Sequence, residues 1–238
     1  MAYELIAAAE AISAIAAIYI FYSTLKACRA SRIPYLLGIP AAFGLLTLAF
    51  IANLLDATFG ANLPRSGGLM LSVVYLLLET YGVLFLALTY ARRTRLKFIG
   101  ESFSIELAIP SLITVVVVAH ALAFENVTYS VSVPPTMQLS LRIVMALAAG
   151  YLIYETYRNW SLTHRAGQGA IIFAYTALLV EQLGFMMSMQ WFPEVTTFLG
   201  YEGRVIGLLL LVGLSSVSVK KDDFTTVIKR LGLAAPAH

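Results

Sequence analysis

Seven stretches of mostly apolar residues, each about 20 long, dominate this chain, and that is the length of helix needed to cross a hydrocarbon core about 30 Å thick. They run near residues 4–25, 35–57, 69–91, 104–124, 137–158, 168–190 and 201–219. Breakers separate them: Pro64, Gly67 and Gly68; Gly100; Pro134 and Pro135; Gly167; Pro193 and Gly200. Residues 1–219 therefore read as one seven-helix transmembrane domain and 220–238 as a short basic tail. Hydrophobic residues make up 60% of the 238 and charged residues 12%, against about 45–50% and about 25% in soluble domains. Water could not solvate so much apolar surface behind so few charges. A soluble globular domain, a disordered chain and a nucleic-acid binder are excluded. An all-α polytopic membrane protein in contact with the lipid bilayer is expected, multi-pass in the cell membrane. The first stretch is too long for the apolar region of a signal peptide and lacks basic residues before it, so it reads as a span.

The net charge of +3 matters less than its placement. On alternate connections lie Lys26, Arg29 and Arg32; Arg92, Arg93, Arg95 and Lys97; and Arg158 and Arg165, with Lys220, Lys221, Lys229 and Arg230 in the tail. Of the sixteen Lys and Arg residues only Arg65, Arg142 and Arg204 fall elsewhere. The positive-inside rule then puts the amino terminus outside and the carboxyl terminus in the cytoplasm. The first, third and fifth spans each end on an aromatic before basic residues (Tyr22, Tyr90, Tyr154). That pattern fits an interfacial aromatic belt or a triplicated helical hairpin. In the tail Phe224, Val227, Ile228 and Leu231 follow helical spacing and fit a short amphipathic segment on the membrane surface.

Ionisable residues inside a span are costly, about 2.5–3.5 kcal/mol or more at the centre, so each needs a partner or a purpose. At 1.5 Å per residue, Glu79 lies about 15 Å and Glu181 roughly 14 Å from the outer ends of their spans, near the midplane. Glu10, Asp56, His120, Arg142 and Arg204 fall in outer halves. The inner half holds Glu106 and Glu155 near the interface, where they can snorkel. A polar cavity open to the outside above a sealed inner half is expected. Asn53 and Asp56 share a face of the second helix; Tyr75, Glu79 and Gly82 one of the third; Arg142, Ala146 and Gly150 one of the fifth; Glu181, Gly184 and Ser188 one of the sixth. Gly203 and Gly207 flank Arg204 in a small-xxx-small pattern. Small residues beside a charge let helices approach, so these faces should point into the bundle. The charges could form an internal salt-bridge network (Glu79 or Glu181 with Arg142 or Arg204), a site for a ligand, ion or proton, or snorkelling groups.

Other features exclude more than they suggest. Cys28 is the only cysteine, which rules out an internal disulfide, a CxxC pair or a multi-cysteine metal site. Three histidines, of which only His120 is intramembrane, fall short of bis-histidine haem or a three-histidine zinc site. Gly213-Leu214-Ser215-Ser216 lacks a nearby base, and no phosphate-binding glycine loop or acidic metal cluster occurs. No enzyme activity, cofactor or metal is expected. Pro40 and Pro110 either kink their helices or sit in a first turn. Glycosylation sequons at Asn126 and Asn159 fall on opposite sides and decide nothing.

Seven helices and an outer amino terminus match the outline of microbial rhodopsins, but the last span, YEGRVIGLLLLVGLSSVSV, has no lysine to hold retinal before Lys220. In layout, with short basic inner turns such as TLKACRASR and TYARRTRLK, the chain resembles the seven-helix sensor region of prokaryotic histidine kinases. The resemblance implies a receptor-like module; no kinase follows the last helix here. The resulting expectation is a receptor or sensor-like module. An outer-half pocket of Glu79, Glu181 and Arg204, surrounded by Arg142, Asp56, His120 and Asn53, would bind an unknown small ligand or ion. A separate protein partner on the cytoplasmic side would receive the signal. A small-solute or proton-coupled ion transporter, or a structural subunit of a membrane complex, is the alternative.

Overall fold

In the computed structural model the described residues are 2–31, 37–60, 65–94, 108, 110–116, 119, 133, 135–163, 166–189 and 193–219. They are helical almost throughout, as lipid demands: with no water in the hydrocarbon core, backbone N–H and C=O groups must pair within their own segment. The elements are α1 (Ala2–Ser31), α2 (Gly38–Phe59), α3 (Arg65–Thr94), α4 (of which 110–116 are described), α5 (Pro135–Thr163), α6 (Ala166–Ser188) and α7 (Pro193–Val219). Among the described residues six helices, α1, α2, α3, α5, α6 and α7, are long and apolar enough to span a membrane. Most of the fourth expected span, His120 included, lies outside the described residues, as do His164, Glu106, Asn126 and the tail.

The ends of the helices refine the expected spans. Pro193 starts α7 eight residues before the expected 201, because proline lacks only an N–H that a first turn leaves unpaired anyway. Pro40 likewise sits in the first turn of α2 and kinks nothing. The earlier start places Arg204 eleven residues into α7, about 16 Å from its beginning and near mid-helix rather than near the outer end.

Among the described helices the packing order closes on itself: α1 packs on α2, α2 on α3, α3 on α5, α5 on α6, α6 on α7 and α7 back on α1. The interior is an apolar core that also encloses charged side chains, while many large apolar side chains lie on the outside. Leu147 and Phe173 are 70% and 71% exposed, whereas Glu10 and Arg204 are fully buried. The outward apolar side chains suit contact with lipid, and the buried charges face one another.

Lipid is as apolar as leucine, so close backbone approach must supply much of the packing. A Cβ on Gly184 would stand 2.8 Å from the Gly200 nitrogen and the Thr196 carbonyl oxygen; on Gly203 it would stand 2.7 Å from the Ala177 carbonyl oxygen, and on Gly207 2.8 Å from that of Ala174. The small-residue face flanking Arg204 is thus the seam of a tightly joined α6–α7 hairpin. Gly82 seats α3 on α2 in the same way, against Leu46 and the Ala42 carbonyl. The corresponding expectation for α5 is not met at Gly150, where nothing lies within 4 Å of an added Cβ.

Two inner-half expectations also change. Glu155 does not snorkel; it is fully buried, with the half-exposed Arg158 3.7 Å away. Tyr22 and Tyr154 are exposed as an aromatic belt requires, but Tyr90 turns inward, where it accepts a 3.1 Å hydrogen bond from Tyr175. Its ring packs edge-on against that partner. The buried hydroxyls of Thr24, Thr80, Thr89 and Thr156 each donate to the carbonyl one turn back in their own helix.

Candidate functional site

The guanidinium of Arg204, from α7, occupies the middle of the ring. Its Nε donates to Glu181 Oε1 on α6, its Nη1 to Glu10 Oε1 on α1, and its Nη2 to the Tyr75 hydroxyl on α3. Nη2 also reaches Glu79 Oε1 at 3.3 Å. Around the guanidinium stand the rings of Phe50, Tyr75, Phe185 and Tyr201, with centroids 4.7, 5.6, 5.5 and 5.4 Å from its central carbon. Aromatic faces carry partial negative charge, so this cage helps to hold a buried cation. Arginine suits the position because its fork presents five donors in fixed directions and stays charged when buried.

Arg142, from α5, makes the second half of the network. It lies 3.0 Å from Glu79 Oε2, donates to Gln182 Oε1 at 2.8 Å and to the Tyr75 hydroxyl at 3.0 Å, and stacks 4.4 Å over the Phe185 ring. Glu79 is therefore shared by both arginines, and Tyr75 accepts from both. Asn53 on α2 closes the circuit by donating to Glu10 Oε1 at 2.6 Å. Each of the six ring helices supplies at least one member. All five charged side chains are nearly sealed from solvent, none exposed beyond 6%.

Charge within this cluster does not balance. Three carboxylates (Glu10, Glu79, Glu181) face two guanidiniums (Arg142, Arg204), an excess of one negative charge among the described residues. Two carboxylate oxygens, Glu10 Oε2 and Glu79 Oε2, are buried and accept no hydrogen bond. The closest group to Glu79 Oε2 among the ion pairs is Arg142, placed for charge attraction but not aligned as a hydrogen bond. Beside the network a small cavity of about 20 Å³ is lined by Glu79, Glu181 and Gln182 together with Leu46, Phe50, Met145, Leu152 and Leu208. That is room for about one water molecule.

Of the residues the sequence singled out, Glu79, Glu181, Arg142, Arg204 and Asn53 meet here. Asp56 does not join them: its Oδ2 accepts from Ser72 at 2.9 Å, tying α2 to α3. His120 lies outside the described residues. Glu10 was recognisable as an intramembrane carboxylate, yet nothing in its local sequence set it apart from an outer-end residue. Gln182, Phe50, Phe185 and Tyr201 carried no signal of their own except helical spacing, since Phe185 stands one turn from Glu181. Ser215 and Ser216 spend their hydroxyls on the Val212 and Gly213 carbonyls.

Comparison of the chain with known protein families, with curated proteins and with solved structures finds no match. The functional reading of this multi-pass helical bundle rests on the geometry of its buried charges.

Proposed function

We propose that the chain is a seven-helix receptor or sensor-like module of the cell membrane, amino terminus outside and carboxyl terminus in the cytoplasm. Its buried charge network is the input element, and a separate cytoplasmic or membrane partner reads the output. The observation that supports this most directly is that two guanidiniums bind carboxylates from three other helices and so tie the ring together. A network of this kind has two readable states. Intact, it fixes the packing of the six ring helices at once. Altered in charge at one member, it frees at least one helix, because a buried ion left without its partner is strongly unfavourable.

Glu79→Gln tests the reading, since Glu79 is the only carboxylate paired with Arg142 among the described residues. Spin labels at Lys26→Cys on α1 and Leu162→Cys on α5, in a Cys28→Ser background in lipid nanodiscs, report the spacing of the two helix ends. A sensor changes that spacing in the Glu79→Gln protein while keeping its helical content. Unchanged spacing with lowered thermal stability would identify the network as purely structural. Proton or solute flux in proteoliposomes, lost in Glu79→Gln, would identify a transporter, the role that mid-membrane carboxylates beside a water-sized cavity would serve.

A further inference from the structure

We infer that the carboxyl groups of Glu79 and Glu181 share one bound proton, which makes the network a single-proton site in the middle of the membrane. The inference deepens the sensor reading, on which it rests for its role, by naming the ligand.

Three observations carry it. First, the cluster holds three carboxylates against two guanidiniums with no described counter-charge left over. A net charge sealed in a low-dielectric interior is relieved most readily by protonation. Second, Glu79 and Glu181 both bind the guanidinium of Arg204, through Nη2 and Nε, and line the same small cavity, and two carboxylates gathered on one cation repel unless one of them is protonated. Third, Glu79 Oε2 is buried and accepts no hydrogen bond, the Arg142 guanidinium 3.0 Å away being paired with it by charge alone. A proton held between the two carboxyl groups removes the excess charge without bringing in a further cation.

A metal cation fits less well. It needs several oxygen ligands, whereas donors crowd this site: both arginines, Gln182 and Asn53. Glu10 is the rival position for the proton. Its Oε1 already accepts from Arg204 and Asn53, and a proton on Oε2 would create a buried donor without an acceptor. The groups that set the affinity come from every packed helix: Glu10 on α1, Tyr75 on α3, Arg142 on α5, and Tyr201 and Arg204 on α7. From α2 come only Phe50 and the uncharged Asn53.

The test is infrared difference spectroscopy of the full chain in nanodiscs, following the C=O stretch of a protonated carboxylic acid. At neutral pH the wild type shows a buried acid band that disappears on alkaline titration. Glu79→Asp and Glu181→Asp keep the charge count, and at least one of them displaces the band; Glu10→Asp leaves it in place. A wild type without the band overturns the inference, whatever the variants do, and so does displacement by Glu10→Asp alone. The spin-label spacing separates this failure from that of the sensor reading. No band but a changed spacing rejects the proton and keeps the sensor; a band with unchanged spacing keeps the proton and rejects the sensor.

Discussion

Replacing Arg204 with methionine keeps a long, flexible side chain and removes the charge on which three helices converge. In the wild type this group pairs with Glu10, Glu79 and Glu181 and donates to Tyr75, at zero exposure. After the change three carboxylates face only Arg142, and Glu10 and Glu181 lose the sole guanidinium that pairs with them among the described residues. Removing one partner of a buried ion pair costs about 3–5 kcal/mol. Arg204→Met should therefore cost at least that range, a loss of roughly two to three and a half powers of ten in the folding equilibrium. Arg142→Met should cost less, about 1–3 kcal/mol, because Glu79 keeps Arg204 at 3.3 Å and the remaining losses are hydrogen bonds. Adding Glu10→Gln to Arg204→Met should recover part of the loss by removing a carboxylate that has become unpaired. Reversible unfolding in mixed micelles of rising sodium dodecyl sulfate fraction, followed by circular dichroism, measures all four proteins on one scale. The reasoning fails if Arg204→Met costs under about 1 kcal/mol, or if Arg142→Met costs as much.

Further outcomes are expected from the same micelle titration. Gly203→Ala puts a methyl group 2.7 Å from the Ala177 carbonyl oxygen, so α6 and α7 must separate, at about 1–3 kcal/mol. Gly150→Ala meets nothing within 4 Å and should stabilise α5 by about 0.5–1 kcal/mol through helix propensity alone; equal effects at the two glycines would contradict the packing described. Tyr75→Phe removes the hydroxyl that accepts from both arginines and should cost about 1–3 kcal/mol, with little change if those bonds are not made. For topology, a cysteine at Leu162 in a Cys28→Ser background should be protected from an impermeant thiol reagent applied outside intact cells. Labelling there would reverse the orientation read from the basic loops.

Hydropathy made the apolar spans legible because a bilayer imposes one length on every crossing helix. It misjudged the start of α7, since Pro193 reads as a breaker in a linear scan but is a favoured first-turn residue in space. That error set Arg204 too near the outer end, and with it the image of an open outer pocket. The charges instead meet around a mid-helix guanidinium in contact with Glu79 and Glu181. Glu155 shows the opposite fault. Its position near a helix end suggested an interfacial group, while its face of α5 turns into the bundle and buries it.

Composition, the length of the apolar runs and the cost of an intramembrane charge were enough to establish a multi-pass helical protein and to point to Glu79, Glu181, Arg142 and Arg204. Those are local properties, readable one residue at a time. Which charges touch depends on helix order, rotation and depth. These are set by where small residues such as Gly82, Gly184, Gly203 and Gly207 let backbones come together. Only the closed ring of helices brings Glu10 to Arg204, 194 residues away along the chain. That contact completes the count of three carboxylates to two guanidiniums on which the chemistry of the site turns.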